Sequence, residues 1–165
     1  MSIVIAQERA DSPDAQALVI ELDAFLTPLY PGESHHGYSV EKLIAQGVAF
    51  FVLRYDGAAA ACGGVQFFGQ ESGEESGEEF GEEFGEIKRM YVRPAFRGRG
   101  LSKAMLAHLE SYTRSQGVDL LRLETGIYQT EAIGLYEQMG YTRTGPFGPY
   151  TDDPLSLLYA KRLRA

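Results

Sequence analysis

The residues best suited to chemistry cluster between Tyr91 and Ala107, Tyr-Val-Arg-Pro-Ala-Phe-Arg-Gly-Arg-Gly-Leu-Ser-Lys-Ala-Met-Leu-Ala. An apolar run ends at Val92 and Pro94 stops it. A loop rich in Arg and Gly follows, and a helical pattern begins near Leu101. That order predicts unpaired backbone N–H groups at a helix N-terminus, with no Cβ at Gly98 or Gly100 to hinder approach. Such amides bind phosphate, and the helix dipole favours the negative charge. Arg93, Arg97 and Arg99 add cations to the same stretch. The predicted ligand is phosphorylated.

Spacing excludes two common phosphate loops. A P-loop needs G-x-x-x-x-G-K-[ST], but Gly98 and Gly100 are followed by Leu101-Ser102-Lys103. A dinucleotide fingerprint needs a third Gly where Lys103 stands. What remains is R-x-x-G-x-(small), at Arg97, Gly100 and Ser102.

The elements that must position this loop form a mixed α/β pattern. Ser2 to Gln7 reads as a strand. Ser12-Pro13 starts a helix with Ser12 as cap, running to about Thr27, with Ala17, Leu18, Leu22, Phe25 and Leu26 as its apolar stripe. A polar and aromatic loop covers 29–38, and Ser39 caps a short helix to Gln46. Val48 to Arg54 and Ala58 to Phe68 flank a Tyr55-Asp56-Gly57 turn as a hairpin. Further strands are predicted at Gly85 to Val92, Val118 to Glu124 and Leu155 to Leu163, with a short one at Tyr141 to Arg143. Helices are predicted at Leu101 to Gln116 and Thr130 to Met139.

Ala132 to Tyr141, Ala-Ile-Gly-Leu-Tyr-Glu-Gln-Met-Gly-Tyr, carries a second signal. Strand, Arg/Gly loop and helix resemble the acetyl-CoA loop of the GNAT superfamily of N-acetyltransferases. The 132–141 helix resembles that family's A-I-x-L-Y-E-x-x-G-[FY] signature. The family usually has Gly or Ala where this chain has Ser102. The resemblance covers roughly residues 48–163. It implies one N-acetyltransferase domain over 1–165, with a mixed, mostly antiparallel central sheet flanked by helices.

The resemblance also assigns candidate roles. Tyr136 stands where the family places the Tyr that protonates the departing thiolate, and a phenol is protonated at neutral pH. Glu86, six residues before Val92, fits the offset of a glutamate base, and Glu124 is a second candidate. Met90, Tyr91 and Val92 would pair through their main chain with the pantetheine amides and supply an oxyanion N–H. Arg97, Gly98, Arg99, Gly100, Leu101 and Ser102 would hold the pyrophosphate. Many members carry an Asn before the Tyr helix, where this chain has Gln129. Acceptor-side positions would be Tyr30, Ser34, His35, His36, Tyr38 and Asp152.

The implied reaction is direct transfer from acetyl-CoA to a primary amine of a small molecule in a ternary complex. The alternatives are acetylation of a protein lysine or N-terminus, or an acyl-CoA-binding module without catalysis. Homodimers are common in the superfamily.

Composition sets the limits. The chain has 165 residues, 44% hydrophobic and 23% charged. The apolar runs are too short to span a bilayer and no secretory signal is legible, so a cytoplasmic, membrane-free protein is expected. Cys62 is the only cysteine, and adjacent His35-His36 point apart, so no disulfide or metal is expected. The net charge is −8. Glu71 to Glu86 reads ESGE-ESGE-EFGE-EFGE, and residues 71–85 hold seven Glu; without them the balance is about −1. A broad basic face for nucleic acid is therefore not expected. The repeat reads as an acidic, flexible insertion, either without a role or acting as a flap toward a cationic substrate.

Overall fold

The computed structural model describes residues 1–35, 37–69, 82–147, 150 and 153–163. Seven strands hydrogen-bond in the order β1-β2-β3-β4-β5-β7-β6. They are β1 (Ile3–Gln7), β2 (Ala49–Tyr55), β3 (Ala58–Phe68), β4 (Phe84–Val92), β5 (Leu120–Gly126), β6 (Thr142–Arg143) and β7 (Ser156–Arg162). The helices are α1 (Pro13–Leu26), α2 (Val40–Ala45), α3 (Leu101–Ser115) and α4 (Thr130–Gln138). The predicted mixed, mostly antiparallel sheet is present, with β4–β5 as its parallel pair. Contacts divide the chain into two compact units, Met1–Gln66 with Ile87–Leu109 and Phe67–Glu86 with Glu110–Ala165.

In the first unit, β2 and β3 form the predicted hairpin. Asp56 (φ +50°) and Gly57 (φ +86°) turn it, both in the left-handed region that a two-residue hairpin needs. Ser12 caps α1, its hydroxyl accepting from the Ala15 amide at 3.4 Å, and Ser39 caps α2 in the same way from Lys42 at 3.1 Å. The buried face of α1 is Ala15, Leu18, Val19 and Leu22. It packs with Leu43, Phe50, Val52, Cys62 and Tyr91. The predicted stripe is rotated, because Phe25 is 43% exposed and Ala15 and Val19 turn inward. Phe25 lies instead beneath Arg97, 5.8 Å from its guanidinium. Gly63 lets β3 meet Met90, Met105 and Leu109 closely; a Cβ there would stand 3.2–3.4 Å from all three. Leu101, Met105, Leu106 and Leu109 are the buried face of α3 in this unit.

In the second unit, β5 and β7 pair antiparallel over their whole length, from Leu120↔Arg162 to Gly126↔Ser156. β6 adds to β7, and the start of β4 pairs parallel with β5 through Gly85↔Leu121 and Glu86↔Arg122. Phe84, Leu120, Phe147 and Leu158 form the core. Phe84 belongs to the last copy of the acidic repeat, yet it is buried against Phe68 and Phe147. The strand thus takes in Phe84, Gly85 and Glu86 of the final repeat unit. Glu82 just before it pairs with Arg162 at 2.5 Å. Residues 71–81 of the predicted flap lie outside the described residues. Among the described residues no helix is long and apolar enough to cross a membrane.

Candidate active site

The Arg/Gly loop takes the predicted form. A single 3₁₀ turn, Pro94–Phe96, leaves β4, and α3 begins at Leu101. Gly98 (φ +82°) and Gly100 (φ +76°) are both left-handed and exposed. A Cβ on either would meet nothing within 4 Å. The glycines are therefore required by backbone conformation, which L side chains rarely adopt. The Gly100 carbonyl accepts from the Ala104 amide at 3.1 Å, so α3 starts here and its first amides are left for a ligand.

The arginines divide their work. Arg97 donates from Nε to the Val92 carbonyl at 3.1 Å, tying the loop to the strand end. Arg99 is exposed, its guanidinium 5.0 Å from the Tyr55 ring centre. Arg93 does not join the loop as expected. It donates to Glu21 at 3.0 Å and to the Ala59 carbonyl at 2.9 Å, so local pairing takes its charge. Leu101 is buried beneath the helix start and Ser102 is half-buried.

β4 carries an irregularity that the sequence did not announce. Arg89 has φ +54°, a conformation uncommon outside glycine. Such a residue breaks strand alternation, as a bulge does. Lys88 and Arg89 thereby meet the same short segment. The Lys88 ammonium lies 4.1 Å from the Tyr38 ring centre, and Arg89 packs on Gly37, where a Cβ would overlap its guanidinium. Asp23 of α1 pairs with Arg89. The Arg89 carbonyl accepts from the Cys62 thiol at 3.3 Å. Met90 is half-buried, whereas Tyr91 and Val92 are buried.

Cys62 is fully buried, and burial pushes its thiol up to about 12. It is a thiol rather than a thiolate at neutral pH, so it is no nucleophile.

Tyr136 lies buried in α4, with Tyr141 and Tyr159 rings 5.9 and 6.3 Å away. Burial first, and then the Glu124 charge, raises its phenol well above the ordinary value. Both effects hold the proton on oxygen at neutral pH. Glu124 is half-buried and accepts from the Ser156 hydroxyl at 2.8 Å. Glu86 is 1% exposed and accepts from the Tyr150 hydroxyl at 2.5 Å. Gln129 ends the loop before α4, its side-chain oxygen accepting from the Gly126 amide at 2.9 Å.

The acceptor-side candidates of the first unit are locally engaged. Gly32–Ser34 folds as a 3₁₀ turn that includes Ser34, and His35 Nε2 lies 2.6 Å from the carbonyl of buried Tyr30. Tyr38 receives Lys42 and Lys88 over its ring. His36 and Asp152 lie outside the described residues. Sequence reasoning gave no site role to Asp23, Arg89 or Arg122, whereas Tyr150 falls in the segment Gly145 to Pro154, whose residue types point to the acceptor side. Among the described residues no three His, Cys, Asp or Glu side chains come together as metal ligands.

Comparison with known proteins follows the same line. The profile of the acetyltransferase (GNAT) family matches residues 18–141. The IAA acetyltransferase of Azospirillum brasilense is 37% identical over 162 residues, 98% of this chain and 99% of that protein. The structure of a candidate acyl-CoA N-acyltransferase from Klebsiella pneumoniae is 33% identical, with TM-score 0.76 over 98% of both chains. A Salmonella typhimurium structure, solved with acetyl-CoA, shares the fold at 20% identity and TM-score 0.65, covering 100% of this chain and 96% of its own. The loop geometry, the Tyr-bearing helix and these likenesses agree: the chain belongs to the GNAT acetyltransferase family and is an acyltransferase.

Proposed function

We propose that the protein transfers the acetyl group of acetyl-CoA directly to a primary amine of a small molecule. The observation that carries this reading is the loop Arg97–Ser102, with two exposed left-handed glycines immediately before α3. Its free amides and Arg99 suit the pyrophosphate of a coenzyme A thioester. The main chain at Met90–Val92 would align the thioester and supply an N–H to the developing oxyanion. Glu86 would receive the amine's proton. Tyr136, held protonated by burial and by Glu124, would supply a proton to the departing thiolate. Transfer is direct because Cys62, the sole cysteine, stays a buried thiol. The A. brasilense relative, an IAA acetyltransferase matched along its whole length, supports a small-molecule acceptor.

Calorimetry with acetyl-CoA, followed by a thiol-release screen over amines and peptides, tests the proposal. Binding followed by release with small amines is the expected result. Release only with peptides would move the acceptor to protein, and binding without release for any acceptor would make this a binding module.

A further inference from the structure

The candidate base is sealed, and the group bonded to it is not. Glu86 on β4 is 1% exposed, while Tyr150 is half-buried and gives its phenolic hydrogen to Glu86 Oε2 at 2.5 Å. The side chains around Tyr150 and on the neighbouring strand are packed on one another. Arg122 holds the paired position on β5, its guanidinium 4.9 Å from the ring centres of both Phe84 and Phe147. Its Nε is buried with no partner among the described residues. Two residues along the same face of β5, Glu124 is engaged by Ser156. Phe147 in turn packs on Phe84 at 5.7 Å and on Tyr150 at 5.3 Å, which fixes the phenol over the carboxylate. At 1% exposure Glu86 offers an amine almost no direct contact. A phenol can accept one proton through a lone pair while donating its own.

We propose that Tyr150 relays the acceptor's proton to Glu86, a proposal that rests on reading Glu86 as the base. As the amine nitrogen bonds to the thioester carbon, its N–H bond breaks and that proton binds Tyr150 Oη. The original Oη–H bond breaks in the same step, and its proton binds Glu86 Oε2. Tyr150 is neutral before and after, Glu86 ends protonated, and no phenolate accumulates. The C–S bond then breaks and the thiolate leaves with a proton from Tyr136; Tyr136 regains a proton from solvent, and Glu86 gives its own up to solvent, before the next turnover.

Single-turnover kinetics with the best amine from the acetylation screen test the relay. Tyr150→Phe removes the mobile proton but keeps the ring. It is expected to lower kcat about a hundredfold, the lower end of a general-base effect, with KM for acetyl-CoA unchanged. In the Glu86→Gln background the same change is expected to add nothing, because both residues serve one transfer. Rates in mixed H₂O and D₂O are expected to show two protons in flight for the parent and a loss of that curvature in Tyr150→Phe. Tyr150→His, which can also accept and donate, is expected to recover part of kcat. Parent-like kcat in Tyr150→Phe, or an equal loss in both backgrounds, overturns the relay. Parent-like kcat in Glu86→Gln would instead remove the base assignment itself.

Discussion

The guanidinium of Arg89, only 4% exposed on β4, pairs with Asp23 of α1, which is 57% exposed. The pair is asymmetric: the cation is buried and its counter-charge faces water. Removing the counter-charge leaves a desolvated cation, which is more damaging than losing a surface pair. Asp23→Ala is therefore expected to destabilise the protein by about 1–3 kcal/mol, discounted from a fully buried pair because water reaches Asp23. Arg89→Met should be milder despite removing a larger group, since it leaves no charge behind. Urea unfolding of both variants checks this, and a larger loss in Arg89→Met would contradict it.

The loop glycines separate binding from folding. At φ +76°, Gly100→Ala strains the backbone by about 1–2 kcal/mol but meets no neighbour. The loop is expected to shift rather than the fold to fail. KM for acetyl-CoA should rise by tenfold or more, while the thermal midpoint moves only a few degrees. An unchanged KM would detach the loop from the donor.

Tyr136 tests the acid. Tyr136→Phe keeps the ring packed against Tyr141 and Tyr159 and removes one hydroxyl. Turnover is expected to fall about 10²- to 10⁴-fold with acetyl-CoA affinity unchanged by calorimetry. Unchanged turnover would make Tyr136 a packing residue.

Alkaline pH should destabilise the fold. Burial raises the Cys62 thiol from 9.0 to about 12, and burial likewise raises Tyr136 and Tyr141. The unfolded chain releases these protons first, so stability is complete below about pH 9 and falls as pH rises above it. Each group contributes up to about 1.4 kcal/mol per pH unit while only the unfolded state has ionised. Urea midpoints from pH 8 to 11 check the sign. Cys62→Ala should flatten the onset between pH 9 and 10, and the folded thiol should resist thiol reagents.

Phe84 tests whether the repeat's end is structural. Buried among Phe68, Phe147 and Arg122, it should lose about 3–5 kcal/mol on Phe84→Ala. A variant as stable as the parent would return this last repeat unit to the surface.

Features set by near neighbours along the chain could be read from the residues alone. The Asp56-Gly57 turn, the Ser12 and Ser39 caps and the strand–loop–helix around Gly98 and Gly100 were all legible, because each depends on φ preferences and hydrogen bonds a few residues apart. The Ala132–Tyr141 signature was legible for the same reason. Tertiary structure decided which face of α1 is buried, since Phe25 and Val19 are equally apolar and only packing chooses between them. It also drew Arg93 away from the loop to Glu21, seated Arg89 beside Asp23 and Gly37, and put Tyr150 on Glu86 across 64 residues of chain. Burial and charge pairing at such separations depend on the folded path. A periodic pattern carries no record of that path.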